Sequence, residues 1–105
     1  MSELIEVTTT CACQDTAREL AEKLVEARLA ACVQIIGPIE SHYRWQDKLH
    51  REQEWLCKAK SIQELATRLI EFISSHHAYE VPEILVQPTL ECSQGYIQWV
   101  REQVE

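Results

Sequence analysis

At 105 residues the chain has room for one domain, and its 46% hydrophobic and 26% charged residues are ordinary for a soluble globular protein. A net charge of −7 argues against nucleic acid and anionic membrane as partners, since both need a positive footprint. Met1-Ser2-Glu3 lacks the basic, apolar start of a signal peptide, and the five cysteines follow no disulfide-framework spacing, so reduced thiols in a cytoplasmic setting are expected.

Leu4 to Thr10 is short and β-branched, with Ile5, Val7 and Thr9 on one side, and reads as a strand. Cys11 to Gln14 connects it to a helix. Asp15 or Thr16 can cap that helix, and Thr16 with Glu19 fits a capping box. Ala17, Leu20, Leu24, Ala27 and Ala31 step at three- and four-residue intervals, which predicts about four turns with Arg18, Glu22 and Glu26 outward.

Ala31 to Lys60 is the largest expected feature. From Ile39 the apolar and small residues fall on odd numbers (Ile39, Ser41, Tyr43, Trp45), with polar residues between them. Gln46-Asp47-Lys48 supplies a turn, and the chain returns through Gln53, Trp55, Cys57 and Ala59 on one parity, making a long β-hairpin. Gly37-Pro38 interrupts its first strand and predicts a bulge or bend, because proline cannot donate to a ladder. Fourteen extended residues span roughly 45 Å, against about 33 Å for the diameter of a compact chain of this size. The hairpin should overhang its domain, and Tyr43, Trp45 and Trp55 at its end need other chains to cover them.

Ser61 with Glu64 makes a second capping box, and Ile62, Leu65, Leu69, Phe72 and Ile73 stripe a second helix ending near Ser74-Ser75. A loop over residues 76–82 leads to a short strand from Glu83 to Gln87, and Tyr96, Ile97, Val100 and Val104 predict a third helix over residues 93–105. The order β-α-β-β-α-β plus a terminal helix predicts an α+β, ferredoxin-like fold. Both main helices then lie on one sheet face and the other is left bare, as three sheets packing in a trimer would require.

Ala31-Cys32-Val33, Ser41-x-Tyr43-x-Trp45, Glu54, Lys58 and His77-x-Tyr79-Glu80-x-Pro82-Glu83-Ile84 resemble the CutA divalent-cation-tolerance family over nearly the whole chain. The resemblance implies a ferredoxin-like homotrimer, similar in architecture to PII-type signalling proteins, and an association with copper and other divalent metals. It does not imply an enzyme. The sequence departs from the family at Ala78 (usually proline), Asp47 (usually glycine) and Gln34 (commonly asparagine).

Cys11, His76 and His77 match the family's metal-binding cysteine and histidine pair, and thiolate with imidazole suits copper. Adjacent histidines point apart, so both reach one ion only through a turn or from different subunits. The alternative is that they are exposed loop histidines that pick up metal adventitiously. Cys13 could join Cys11 on one side of an extended segment. Cys32, Cys57 and Cys92 have no partner at ligand spacing and read as core thiols, while His42 and His50 read as solvated.

Trp45, Glu54, Lys58, Lys60, Tyr79 and Glu80 could line a cleft between subunits, where PII-like trimers bind small ligands. The same residues also fit plain interface packing with salt-bridged charges. No P-loop, nucleophile elbow or dinucleotide fingerprint occurs, so no organic cofactor is expected. A trimeric scaffold or signalling module with a small-ligand or protein partner is the second functional expectation.

Overall fold

The computed structural model describes residues 3–104. The elements run β1 (Leu4–Cys11), α1 (Gln14–Glu26), β2 (Cys32–Trp45), β3 (Lys48–Ile62), a 3-10 turn at Gln63–Leu65, α2 (Ala66–His76), β4 (Ile84–Pro88) and α3 (Gln94–Gln103). One antiparallel sheet has the order β2-β3-β1-β4. This is the expected ferredoxin-like arrangement. Glu105, the last residue of the expected third helix, lies outside the described residues. No helix among the described residues is long and apolar enough to cross a membrane.

Period-two alternation divides the sheet into two faces. Ile5, Val7 and Thr9 of β1 lie beside Ala59 and Cys57 of β3, and all are nearly fully buried under Ala17, Leu20 and Leu24 of α1 and Leu69 and Ile73 of α2. The opposite face carries Glu6, Lys58 and Lys60. It is not bare. The hydroxyl of Tyr96 lies 3.6 Å from Cys32 Sγ, which places α3 over one end of this face, and Val100 and Val104 are buried there. Burial, then the Cys32 thiol, pushes the Tyr96 phenol up to about 12.

Three helix ends differ from expectation. α1 stops at Glu26 instead of running on to Ala31, because Arg28 adopts a left-handed conformation with φ 59°. The Arg28 and Leu29 amides donate to the carbonyls of Val25 and Leu24, which is a Schellman motif built without glycine. The Arg28 guanidinium also donates to the Glu102 carbonyl at 3.1 Å. The expected capping boxes do not form. Cys13 is the N-cap of α1 and Thr16 lies inside the helix, its hydroxyl donating back to the Cys13 carbonyl. Ser61 belongs to β3, fully buried, and donates to the Leu29 carbonyl at 2.6 Å.

The hairpin is as long as expected. β3 pairs with β1 only as far as Trp55, opposite Cys11. Beyond that point seven further pairs, from Ile39↔Glu54 to Trp45↔Lys48, extend as a two-stranded arm. The chain measures 45 × 26 × 23 Å in consequence. Gln46 and Asp47 both have positive φ (51° and 64°), so the turn is a two-residue type I′ and Lys48 already belongs to β3.

A bulge does form at Gly37-Pro38, where the register shifts between Ile36↔Leu56 and Ile39↔Glu54. It corrects one expectation. Two residues of β2 stand against one of β3, so beyond it the odd positions of β2 face the even positions of β3. Tyr43 and Trp45 therefore share a face with Glu54, Glu52 and His50, not with Gln53, Trp55 and Cys57. Gly37 itself rests on the Trp55 indole, where an added Cβ would lie 2.4 Å from the ring. Gly37→Ala is expected to lower unfolding free energy by about 1–3 kcal/mol through overpacking, measured by urea denaturation.

Candidate functional site

Two depressions contain most of the residues nominated from the sequence. The first, about 170 Å³, lies between the end of β1, the start of α1 and the end of α2, and its wall includes Cys11, Thr16, Glu19, His76, His77 and Tyr79. The sheet and α2 thus bring Cys11, His76 and His77 to one place. Cys11 is the last residue of β1, not a loop residue, and only 4% exposed.

The three side chains are not equivalent. The imidazole of His77 is committed on both nitrogens. Its Nε2–H donates to the Thr10 carbonyl at 2.7 Å, and its Nδ1 accepts the Tyr79 amide at 3.1 Å. A carbonyl can only accept, so the proton sits on Nε2. His76 closes α2 with its Nδ1–H donating to the Phe72 carbonyl at 2.8 Å and its ring stacked on Phe72. That tautomer leaves its Nε2 lone pair free on an exposed side chain. Cys11 shares a hydrogen bond with Cys57 across adjacent strands. This contact is the main cause holding the Cys11 thiol below its ordinary range, and the same contact, with burial, pushes Cys57 up. Cys13 is exposed, and its thiol is lowered chiefly by the Thr16 hydroxyl 3.4 Å away.

Among the described residues no three of His, Cys, Asp and Glu converge at metal-ligand spacing. Within this chain Cys11, His76 and His77 do not form a ready three-ligand centre, because the lone pair His77 could offer is occupied by a backbone amide.

The second depression is a cleft of about 580 Å³ beneath the hairpin arm. Its lining includes Trp45, Glu54, Tyr79 and Glu80 from the sequence reading, together with Thr10, Tyr43 and Glu83. The last three were not singled out as ligand-site residues; Tyr43 comes to the face of Glu54 only through the parity change at the bulge, while Thr10 and Glu83 arrive from β1 and from the segment just before β4. Glu54 is only 8% exposed and accepts a 2.8 Å hydrogen bond from the Tyr79 hydroxyl. Burial first, then this carboxylate, pushes the Tyr79 phenol well above its ordinary range. A continuous chain of contacts runs from Thr10 through His77 and Tyr79 to Glu54.

Lys58 and Lys60 lie elsewhere. They stand on the sheet face opposite α1 and α2, with their ammonium groups 3.2 and 3.4 Å from the Glu6 carboxylate. Burial opposes ionisation of Glu6, but the hydrogen bonds from the two lysines prevail and hold its carboxyl below the usual range. Lys60 also donates to Gln34 at 2.7 Å. His42 pairs with Glu40 and His50 stacks on Tyr43, both on the arm.

The profile of the family described as CutA1 divalent ion tolerance protein matches residues 5–103. The divalent-cation tolerance protein CutA of Thermus thermophilus is 40% identical over 89 residues, which cover 85% of this chain and 86% of that protein. Human protein CutA is also 40% identical, over 96 residues that cover 91% of this chain but 54% of its own length, so the chain spans about half of that relative. The structure of CutA from Synechococcus elongatus superposes with a TM-score of 0.94 at 37% identity, covering all of this chain and 93% of that one.

Proposed function

The chain belongs to the CutA1 divalent ion tolerance family, and from that premise we propose a homotrimeric, cytoplasmic, non-enzymatic protein of divalent-cation homeostasis that takes copper at the Cys11–His76–His77 depression. The observation that carries this reading is that all three residues border one small depression. Thiol and imidazole are the donor types that favour copper over harder cations. His76 offers the open lone pair, and Cys11 is the thiol of its pair that ionises first. His77 joins only by releasing the Tyr79 amide, so in the resting protomer the ion is held weakly. The arm supports the trimer, since it extends beyond β1 with Tyr43 and Trp45 more than one-third exposed in the single chain.

Copper titration followed by calorimetry checks this reading. His76→Ala is expected to weaken binding at least about tenfold, which corresponds to losing roughly 1.4 kcal/mol of binding free energy. Cys11→Ser is expected to act in the same direction. Copper affinity unchanged by His76→Ala/His77→Ala together would remove the depression as the binding place.

A further inference from the structure

Cys57 and Thr9 have no part in the copper reading, yet both stand beside Cys11 on the helix-covered face of the sheet. Thr9 lies directly opposite Cys57, and Cys11 lies one diagonal step further along β1. All three are more than nine-tenths buried. The two thiols share a hydrogen bond, and the Cys57 sulfur lies 3.9 Å from the Ala17 carbonyl of α1. The Thr9 hydroxyl has no hydrogen-bond partner among the described residues. An unpaired buried hydroxyl carries its full desolvation cost, and buried polar groups are nearly always satisfied by something. Cys11 also borders the small depression, which gives an ion a way in from solvent.

We propose that Cys11 and Cys57 hold one monovalent soft cation, copper(I) or silver(I), in a linear sulfur–metal–sulfur site, with the Thr9 hydroxyl donating to the Cys57 sulfur. Soft thiolate ligands select such ions. Two ligands suffice for linear coordination, so the site does not need the three-ligand cluster that the described residues lack. Diagonal neighbours on paired strands stand roughly 7–8 Å apart, at or past the reach of a disulfide. Two metal–sulfur bonds of about 2.3 Å set end to end bridge a wider gap than one sulfur–sulfur bond. Binding is an exchange: the cation and two thiols give a bis-thiolate complex of charge −1 and two protons, which leave to solvent. That charge sits in the core, and hydrogen bonds to a charged acceptor are the strong ones. Thr9, facing Cys57 with its O–H uncommitted, is the donor placed to supply one. The inference rests on the copper reading only in taking Cys11 to be reachable from the depression; neither histidine is used.

The test uses the whole chain carrying Cys13→Ser/Cys32→Ser/Cys92→Ser, with silver(I) nitrate as a redox-inert probe. Calorimetry is expected to show one ion bound per chain with protons released, and X-ray absorption two sulfur neighbours. Trp55 emission is expected to change, since Trp55 stands opposite Cys11. Adding Cys57→Ala is expected to weaken silver binding by more than about a hundredfold, and Thr9→Val by about tenfold. Thr9→Val keeps the shape of the side chain and removes an unpaired hydroxyl, so the metal-free chain is expected to hold or gain stability while losing affinity. A merely structural role for Thr9 would not separate the two. His76→Ala is expected to weaken divalent copper and leave silver unchanged, whereas Cys57→Ala leaves divalent copper unchanged, so the two readings fail separately. Silver affinity unaffected by Cys57→Ala, silver affinity lost in His76→Ala, or fewer than two sulfur neighbours overturns the proposal. If Cys57→Ala does not fold, the sulfur count and the Thr9→Val affinity decide it.

Discussion

Trp45→Ala is expected to lower the melting temperature and to make it depend on protein concentration. Trp45 ends β2, immediately before the turn, on an arm that no third strand supports. In the single chain it is 40% exposed, and Tyr43 on the same face is 42% exposed. Full burial of such a side chain contributes about 1.5–3 kcal/mol, and cutting a buried aromatic to alanine typically costs about 3–5 kcal/mol. In the proposed trimer much of that is gained when a neighbouring chain covers the arm, so dissociation and unfolding are expected to become coupled in the variant. Sedimentation across a hundredfold dilution reads this directly. A variant that stays trimeric at the lowest concentration, and melts at one temperature throughout, would show instead that Trp45 packs only on its own chain.

His77→Ala is expected to destabilise the protomer by roughly 2–4 kcal/mol, whereas His76→Ala should change stability by less than about 0.5 kcal/mol. The difference follows from their partners. Removing the His77 ring strips the Thr10 carbonyl of its donor and the Tyr79 amide of its acceptor, at a half-buried position. It also frees Tyr79, whose hydroxyl is the partner of the buried Glu54 carboxylate. Each lost neutral hydrogen bond costs about 0.5–1.5 kcal/mol and one to a charged group about 1.5–3 kcal/mol. His76 is exposed, and its main contact is with its own helix through the Phe72 carbonyl. Urea unfolding of the two variants measures the contrast. Equal, small losses in both would mean that His77 is a surface ligand rather than the pin that sets Tyr79.

The same pair shows how far spacing alone can go. The sequence places two adjacent histidines after α2 and a cysteine at the end of β1, which is enough to bring them near one another through the topology. It carries no information on which lone pair is free. That depends on the Thr10 carbonyl, 67 residues away along the chain from His77. Lys58 and Lys60 make a similar case. Their even positions on β3 put them on the open sheet face, but only the pairing of β3 with β1 sets Glu6 between them.

Element order, the overhanging hairpin and the interruption at Gly37-Pro38 were legible from residue pattern, because periods of two and of about 3.6 are local properties of a chain whose faces differ in polarity. Helix ends were less so. The alanine spacing continues through Ala27 to Ala31, yet Arg28 turns left-handed because Leu29, Ala30 and Ala31 are drawn into the core and the Ala31 amide bonds to the Lys60 carbonyl. Which residues of β2 share the face of Glu54 was decided by tertiary structure alone. A bulge adds one residue to one strand and so exchanges the parity of everything beyond it. The sequence announces the bulge through glycine and proline, but the number of residues it absorbs is settled by which amides and carbonyls of β3 find partners, and that choice is what brings a buried carboxylate under Tyr43 and Trp45.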